Sequence, residues 1–175
     1  MLNQSLCCNG GGGTLKDYSI MSVYRNEIVF IERTREFMEK HSKTENDKTF
    51  FLNCCIGLLI APQQYTTHNN SQISFGTVDV KNWGIDISKC TENKATKWPA
   101  DSVENIAYHF RNSLCHYRFD VRDCNPNGQI ENITVIDKAS DNADAPTTFS
   151  LTLSFEDFKK FVLKYADTLV EKLSS

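Results

Sequence analysis

Residues 101–117, DSVENIAYHFRNSLCHY, decide how this chain folds. Val103, Ile106, Ala107, Phe110, Leu114 and Tyr117 recur three and four apart, which gathers them on one stripe of about 100° of a helix surface. Asp101-Ser-Val-Glu104 stands in front of the stripe as a cap, so the spacing predicts a helix from Ser102 to about Tyr117. Beyond it the period changes. Phe119 and Val121 alternate with Arg118, Asp120 and Arg122, the rhythm of a half-buried strand, and Asn125-Pro-Asn-Gly128 is dense turn chemistry. Ile133 with Val135, and then Phe149, Leu151 and Leu153, predict two further short strands joined by the polar loop 140–146. Ser154-Phe-Glu-Asp157 caps a last helix carried by Phe158, Phe161, Val162, Tyr165, Leu169 and Leu173.

Upstream, Asp17 to about His41 reads as one long amphipathic helix, with Ile20, Tyr24, Ile28, Ile31 and Phe37 or Met38 near helical spacing. Thr44-Glu-Asn-Asp47 opens a second helix through Phe50, Phe51, Cys54, Cys55, Leu58 and Leu59, and Pro62 ends it because proline disfavours the α region in the residue before it. Residues 63–99 show little periodicity. A helical turn is expected at Trp83–Ile87, Trp98-Pro99 is expected to fix the entry into the next element, and a short hidden helix is expected somewhere in that length. The fold class expected is mainly α, a bundle of about four to five helices with a small antiparallel β hairpin or sheet inserted before the last helix. Residues 14–175 are expected to form a single domain after a flexible leader, residues 1–13.

With 175 residues, 40% hydrophobic and 23% charged, the chain has globular proportions and room for a core. Its formal net charge is −3, from 19 Lys and Arg against 22 Asp and Glu, which excludes a surface coated in basic charge for wrapping duplex nucleic acid. A cleft with a few local cations is still compatible with that balance. The most apolar run, 50–61, is shorter than the roughly 18–20 residues of a membrane span, so no membrane partner is expected. The first residues, MLNQSLCCNGGGG, lack the basic and apolar regions of a signal peptide. The chain holds 7 cysteines, an odd number that includes the neighbours Cys7-Cys8 and Cys54-Cys55. Reduced thiols in a cytoplasm are the plain expectation, with Cys54 and Cys55 as small core residues.

The sharpest local feature is Arg111-Asn-Ser-Leu-Cys-His116, an Arg and a His five positions apart where the helix gives way to strand. Such a pair differs by about 140° around an ideal helix, so the last turn must fray for both to serve one site. A helix C-terminus favours the protonated imidazole, which suits a histidine that holds a proton part of the time. An Arg followed by a His after four to six positions is a common pattern, and Arg35 to His41 matches it too at the end of the first helix. The bland alternative for either pair is a solvated Arg with a surface or capping His.

Order and context single out Arg111 and His116. The stretch resembles the HEPN superfamily (higher eukaryotes and prokaryotes nucleotide-binding domains), helical bundles whose signature is Arg, four to six residues, His, often with a polar residue such as Asn112 after the Arg. A long first helix, a second ending in Gly57-Leu-Leu-Ile-Ala-Pro62, the motif helix, a hairpin and a Phe-rich final helix are similar to a bacterial plasmid- and defence-associated subgroup, over about Tyr18 to Leu173. The resemblance implies metal-independent RNA cleavage in host defence or toxin function. It implies a homodimer with both motifs lining one cleft, no cofactor, and an antitoxin or defence protein as a further partner. His116 would move protons, Arg111 would clamp phosphate, and Asn112 would orient one of them or bind a phosphate oxygen. Arg118 and Arg122 would add local positive potential, or else stand as solvated strand residues. One departure concerns control: where a nucleotidyltransferase modifies HEPN toxins, a Tyr lies two residues after the His, whereas here Tyr117 is adjacent and Arg118 takes that place. A HEPN-type helical module that dimerises or docks a partner without cleaving is the alternative reading. So is a helical interaction domain outside the superfamily.

Other constellations carry less. His109 and His116 lie about 10 Å apart along a helix axis, too far to share a metal with Cys115 and Cys124, and no CxxC anchors one. His109 is expected as an ordinary packed or exposed bundle histidine. Trp83 and Trp98 offer surfaces for base stacking but fit better as core plugs. Gly10–Gly13 lacks the Lys-Ser/Thr of a phosphate loop, and no Ser-His-Asp or GxSxG arrangement supports acyl transfer.

Overall fold

A computed structural model of the chain describes residues 15–41, 47–60, 74–76, 79–92, 98–121 and 130–174. Helix α1 (Leu15–His41) and helix α2 (Asp47–Cys55) come first, and α2 continues as one π-helical turn over Ile56–Ile60. Two 3-10 turns (Val80–Trp83 and Ile87–Lys89) lead into strand β1 (Thr91–Glu92). The motif helix α3 (Val103–Cys115) follows, then β2 (Phe119–Asp120), β3 (Asn132–Lys138), β4 (Thr147–Ser154) and the last helix α4 (Phe155–Ser174).

The apolar stripes build the core. Phe110 of α3 is fully buried and meets Phe158 and Phe161 of α4 at 5.3 and 5.0 Å between ring centroids, and Phe149 of β4 at 6.4 Å. Phe51 of α2 sets its edge on Phe155 at 4.6 Å. Further along the same face of α4, Phe75 stacks on Tyr165 and Trp83 tilts against Phe161. Truncating a ring buried this completely costs about 3–5 kcal/mol, so these contacts fix how α3 lies against α4.

The four strands form one antiparallel sheet in the order β1-β4-β3-β2. In β3, Ile133, Val135 and Asp137 face inward by strict alternation, opposite Leu153, Leu151 and Phe149 of β4. On the outer face Thr134 and Thr152 share a hydroxyl hydrogen bond of 2.8 Å. The β3–β4 register is irregular between Asp137 and Lys138. Among the described residues both edge strands are two residues long.

Among the described residues the helical count agrees with expectation, and the sheet corrects it. It has four strands, and β1 comes before the motif helix, so the sheet is not an insertion confined to the stretch ahead of the last helix. Two residues cannot display a period of two, which is why residues 63–99 gave no strand signal. The helical turn expected at Trp83–Ile87 does not form: residues 84–86 are not helical, and 3-10 turns capped by the Asp79 and Asp86 side chains lie on either side. Gly84 between them has φ 87°, and a Cβ placed there would lie 2.9 Å from the Asp157 carbonyl oxygen. Asp101 is not the cap of α3. Ser102 is, accepting from the Asn105 N–H at 3.2 Å, while Glu104 accepts from the Phe75 N–H. Ser154 caps α4 as expected, its hydroxyl accepting from the Asp157 N–H at 3.1 Å. The Thr44 cap, Pro62 and the Asn125–Gly128 turn lie outside the described residues.

Candidate active site at the end of the motif helix

Helix α3 carries two stripes. One is the apolar set Val103, Ile106, Ala107, Phe110 and Leu114, all buried as expected. Beside it runs a polar set, His109, Asn112, Ser113 and His116, at intervals of three, four and seven, hence along one line of the helix. This line faces the end of β3. The His109 Nδ1 lies 2.8 Å from Asp137 Oδ2, and its Nε2 lies 2.6 Å from the Trp98 carbonyl oxygen. Asn112 Nδ2 donates to the same Asp137 oxygen at 3.3 Å, and the Lys138 N–H donates to Asp137 Oδ1 at 2.9 Å. The Ser113 hydroxyl donates to the Arg118 carbonyl at 2.7 Å and accepts from the Ile136 N–H. At the far end, His116 Nδ1 stands 3.3 Å from Asp141 in the loop after β3.

Arg111 joins this seam from the side. Its Nη1 donates to Asn112 Oδ1 at 3.1 Å, and its Nε is buried and meets no acceptor among the described residues. The expected site residues therefore occupy the following places. Asn112 is a bridge between Arg111 and Asp137. Arg111 is half-buried, and His116 is exposed, its side chain 40% accessible. Asn112, through Asp137, reaches the C-terminal end of β3, and His116, through Asp141, reaches the loop after it.

The helix stops where the motif ends. His116 is the C-cap, with φ −103° and ψ 13°, and Tyr117 follows in the left-handed region at φ 53°. The Arg118 N–H then bonds the Ser113 carbonyl at 2.8 Å and the Tyr117 N–H the Leu114 carbonyl at 3.3 Å, the pair of bonds that closes a Schellman terminus. Such termini favour glycine at the position Tyr117 occupies. The turn swings Tyr117 out to 82% exposure, so it leaves the apolar stripe on which spacing had put it.

Other candidates resolve differently. Arg118 is not a solvated strand residue: its side chain is 15% exposed and its Nη2 reaches the Ser140 carbonyl and Asp141. Arg122 and Cys124 lie outside the described residues. Arg35, of the second Arg–His match, pairs with Glu39 and with Asp167 of α4, and His41 packs on Phe37 and Phe50. Trp83 is a core plug, while the Trp98 ring packs on Tyr108 at 5.1 Å. Cys54 and Cys55 are buried, and burial pushes the Cys55 thiol well up. Both nitrogens of His109 are engaged, which removes it as a metal ligand. Among the described residues no three His, Cys, Asp or Glu converge.

The sequence reading missed Asp137 and the link to His109. A signal was present: Ile133, Val135 and Asp137 alternate, so an acidic residue falls on the buried face of a strand. Such a position requires a cationic or multiply donating partner.

The fold is thus a helical core with a polar seam at the end of an Arg–His helix. The family model described as HEPN pEK499 p136 matches residues 21–175, and the chain belongs to that family, a plasmid-associated type within the superfamily. No curated protein and no solved structure gives a significant match. No helix among the described residues is long and apolar enough to cross a membrane.

Proposed function

We propose that the protein is a HEPN-type endoribonuclease acting as a homodimer, without metal, in defence or toxin function. The observation that carries this reading is the arrangement of the motif. Arg111 is half-buried with its guanidinium held by Asn112, and His116 is exposed at the helix terminus. In the reaction, the RNA 2′-oxygen attacks the adjacent phosphorus and gives its proton to an imidazole. The 5′-oxygen leaves and takes a proton from an imidazolium, leaving a 2′,3′-cyclic phosphate and a 5′-hydroxyl. His116, with Nδ1 turned to Asp141, offers Nε2 for these transfers. Arg111 presents a planar set of donors to the phosphate as its charge grows.

The test is cleavage of RNA in EDTA by the purified protein, by His116→Ala and by Arg111→Ala. Wild-type cleavage with cyclic-phosphate ends, lost by about 10²–10⁴-fold in His116→Ala, supports the mechanism. Undiminished cleavage by His116→Ala refutes it. Dimers that bind RNA but leave it intact favour the non-catalytic module.

A further inference from the structure

His109 and Asp137 lie outside the Arg–His motif, yet they connect to it without a gap. Asp137 is 3% exposed and His109 1%. Burying a carboxylate there requires several donors, and Asp137 has three: the His109 ring, the Asn112 amide and the Lys138 N–H. The His109 ring faces two acceptors, the carboxylate and the Trp98 carbonyl. A neutral imidazole carries one N–H, so a second proton, held on the ring or on the carboxyl group, is needed to make both contacts hydrogen bonds. The ring also lies flat on Phe149, with centroids 4.3 Å apart and planes 1° from parallel, which suits a cation over a π face.

The direction of the hydrogen bonds is fixed from this buried end. A carboxylate only accepts, so Asn112 must turn its NH2 toward Asp137. Its amide oxygen then faces the other way, onto Arg111 Nη1, and a guanidinium only donates. Each group in the series leaves its neighbour one orientation.

We propose that His109 and Asp137 are positioning residues, a buried charge pair that locks the Asn112 amide so that Asn112 holds the Arg111 guanidinium for the RNA phosphate. The role rests on the ribonuclease reading given above, while the lock itself is a property of the free protein. Asp137→Asn is nearly isosteric but can donate, so it lets the Asn112 amide flip and turn its donor to Arg111.

The test has two arms. In the first, ¹⁵N relaxation of the Arg111 Nε–H is measured in the free wild type, Asp137→Asn, Asn112→Ala and the double variant. Arg111 is expected to be ordered in the wild type and looser in each single variant, with no further loosening in the double, while Arg118 is unmoved. A folded Asp137→Asn with Arg111 as ordered as the wild type overturns the proposal. In the second arm, kcat/KM for RNA is expected to fall roughly ten- to hundred-fold in each single variant, the loss of one charge-assisted hydrogen bond, and no further in the double. Multiplying losses in the double variant overturn the relay, because independent structural damage combines that way. If Asp137→Asn does not fold, Asn112→Ala and the wild-type ring nitrogens of His109 still decide. An unchanged Arg111 in Asn112→Ala, or a ring nitrogen without a proton, refutes the lock. A wild type that cleaves no RNA removes the ribonuclease reading, and the positioning role with it, whatever the relaxation data show.

Discussion

The His109–Asp137 pair makes a quantitative stability prediction. The two side chains are 1% and 5% exposed and 2.8 Å apart, so solvent screens them little. Asp137→Val deletes the carboxylate and leaves an imidazole N–H pointing at hydrocarbon, with the Asn112 amide and the Lys138 N–H also short of an acceptor. Breaking a buried pair by removing one partner costs about 3–5 kcal/mol. His109→Phe keeps the stacking on Phe149 but leaves the carboxylate with two neutral donors and no cation, a cost of similar size. If both groups go, no unpaired charge remains. The double variant is therefore expected to lose less than the sum of the singles by about 1–3 kcal/mol. In a domain of this length each single substitution lowers Tm by roughly 10 °C.

Urea melts of the four proteins at neutral pH measure these terms, with midpoints compared at constant slope. A loss below about 1 kcal/mol in Asp137→Val would show that the pair carries no buried charge. Costs that simply add would show that the two side chains do not interact. Either result refutes the reasoning.

Three further outcomes are expected. Tyr117→Gly removes a left-handed tyrosine that is largely in solvent, and urea melts should show a gain of about 0.5–1 kcal/mol. Gly84→Ala forces a Cβ against the Asp157 carbonyl at a positive φ and should cost about 1–3 kcal/mol by thermal unfolding. The Cys90 thiol is pushed up to about 11 from 9.0, first by burial and then by the Glu92 and Asp86 carboxylates, so it should react slowly with iodoacetamide at pH 8. The folded state keeps this proton longer than the unfolded one. Its contribution is therefore complete below pH 9 and lost as the pH rises toward 11, a decline in urea midpoints that Cys90→Ala should flatten.

The apolar periodicities of α3 and α4 were legible because each buries one stripe over several turns, and the sequence repeats what the packing requires. The strands β3 and β4 were legible by alternation. What escaped was short or indirect. Strand β1 has no room for a pattern, and Arg118 looks solvated until the loop after β3 folds back on it through Ser140 and Asp141. Tyr117 continues the apolar spacing of α3, yet the helix ends two residues earlier. That end is set by the backbone bonds of Ser113 and Leu114, which no spacing rule reports. The Arg111–Asn112–His116 motif was legible as residue types, whereas its support was not. His109 looked like filler, and its partner Asp137 is 28 residues away.

The way α3 ends is itself part of the site. A helix continued through residue 117 would hold His116 about 140° from Arg111. Stopping at Cys115 frees the His116 ring to stand by Asp141, and the left-handed Tyr117 is the strain that this stop imposes. Ser113 stabilises the stop from inside, since its hydroxyl ties the Arg118 carbonyl and the Ile136 N–H to the last turn. Asn112 and Asp137 fix the same turn one residue earlier. The polar seam thus gives the last turn of α3 a rigidity that helix ends ordinarily lack. In the ribonuclease proposed above, a guanidinium and an imidazole acting on one phosphate would need that rigidity, because small misplacements of either would cost much of the rate.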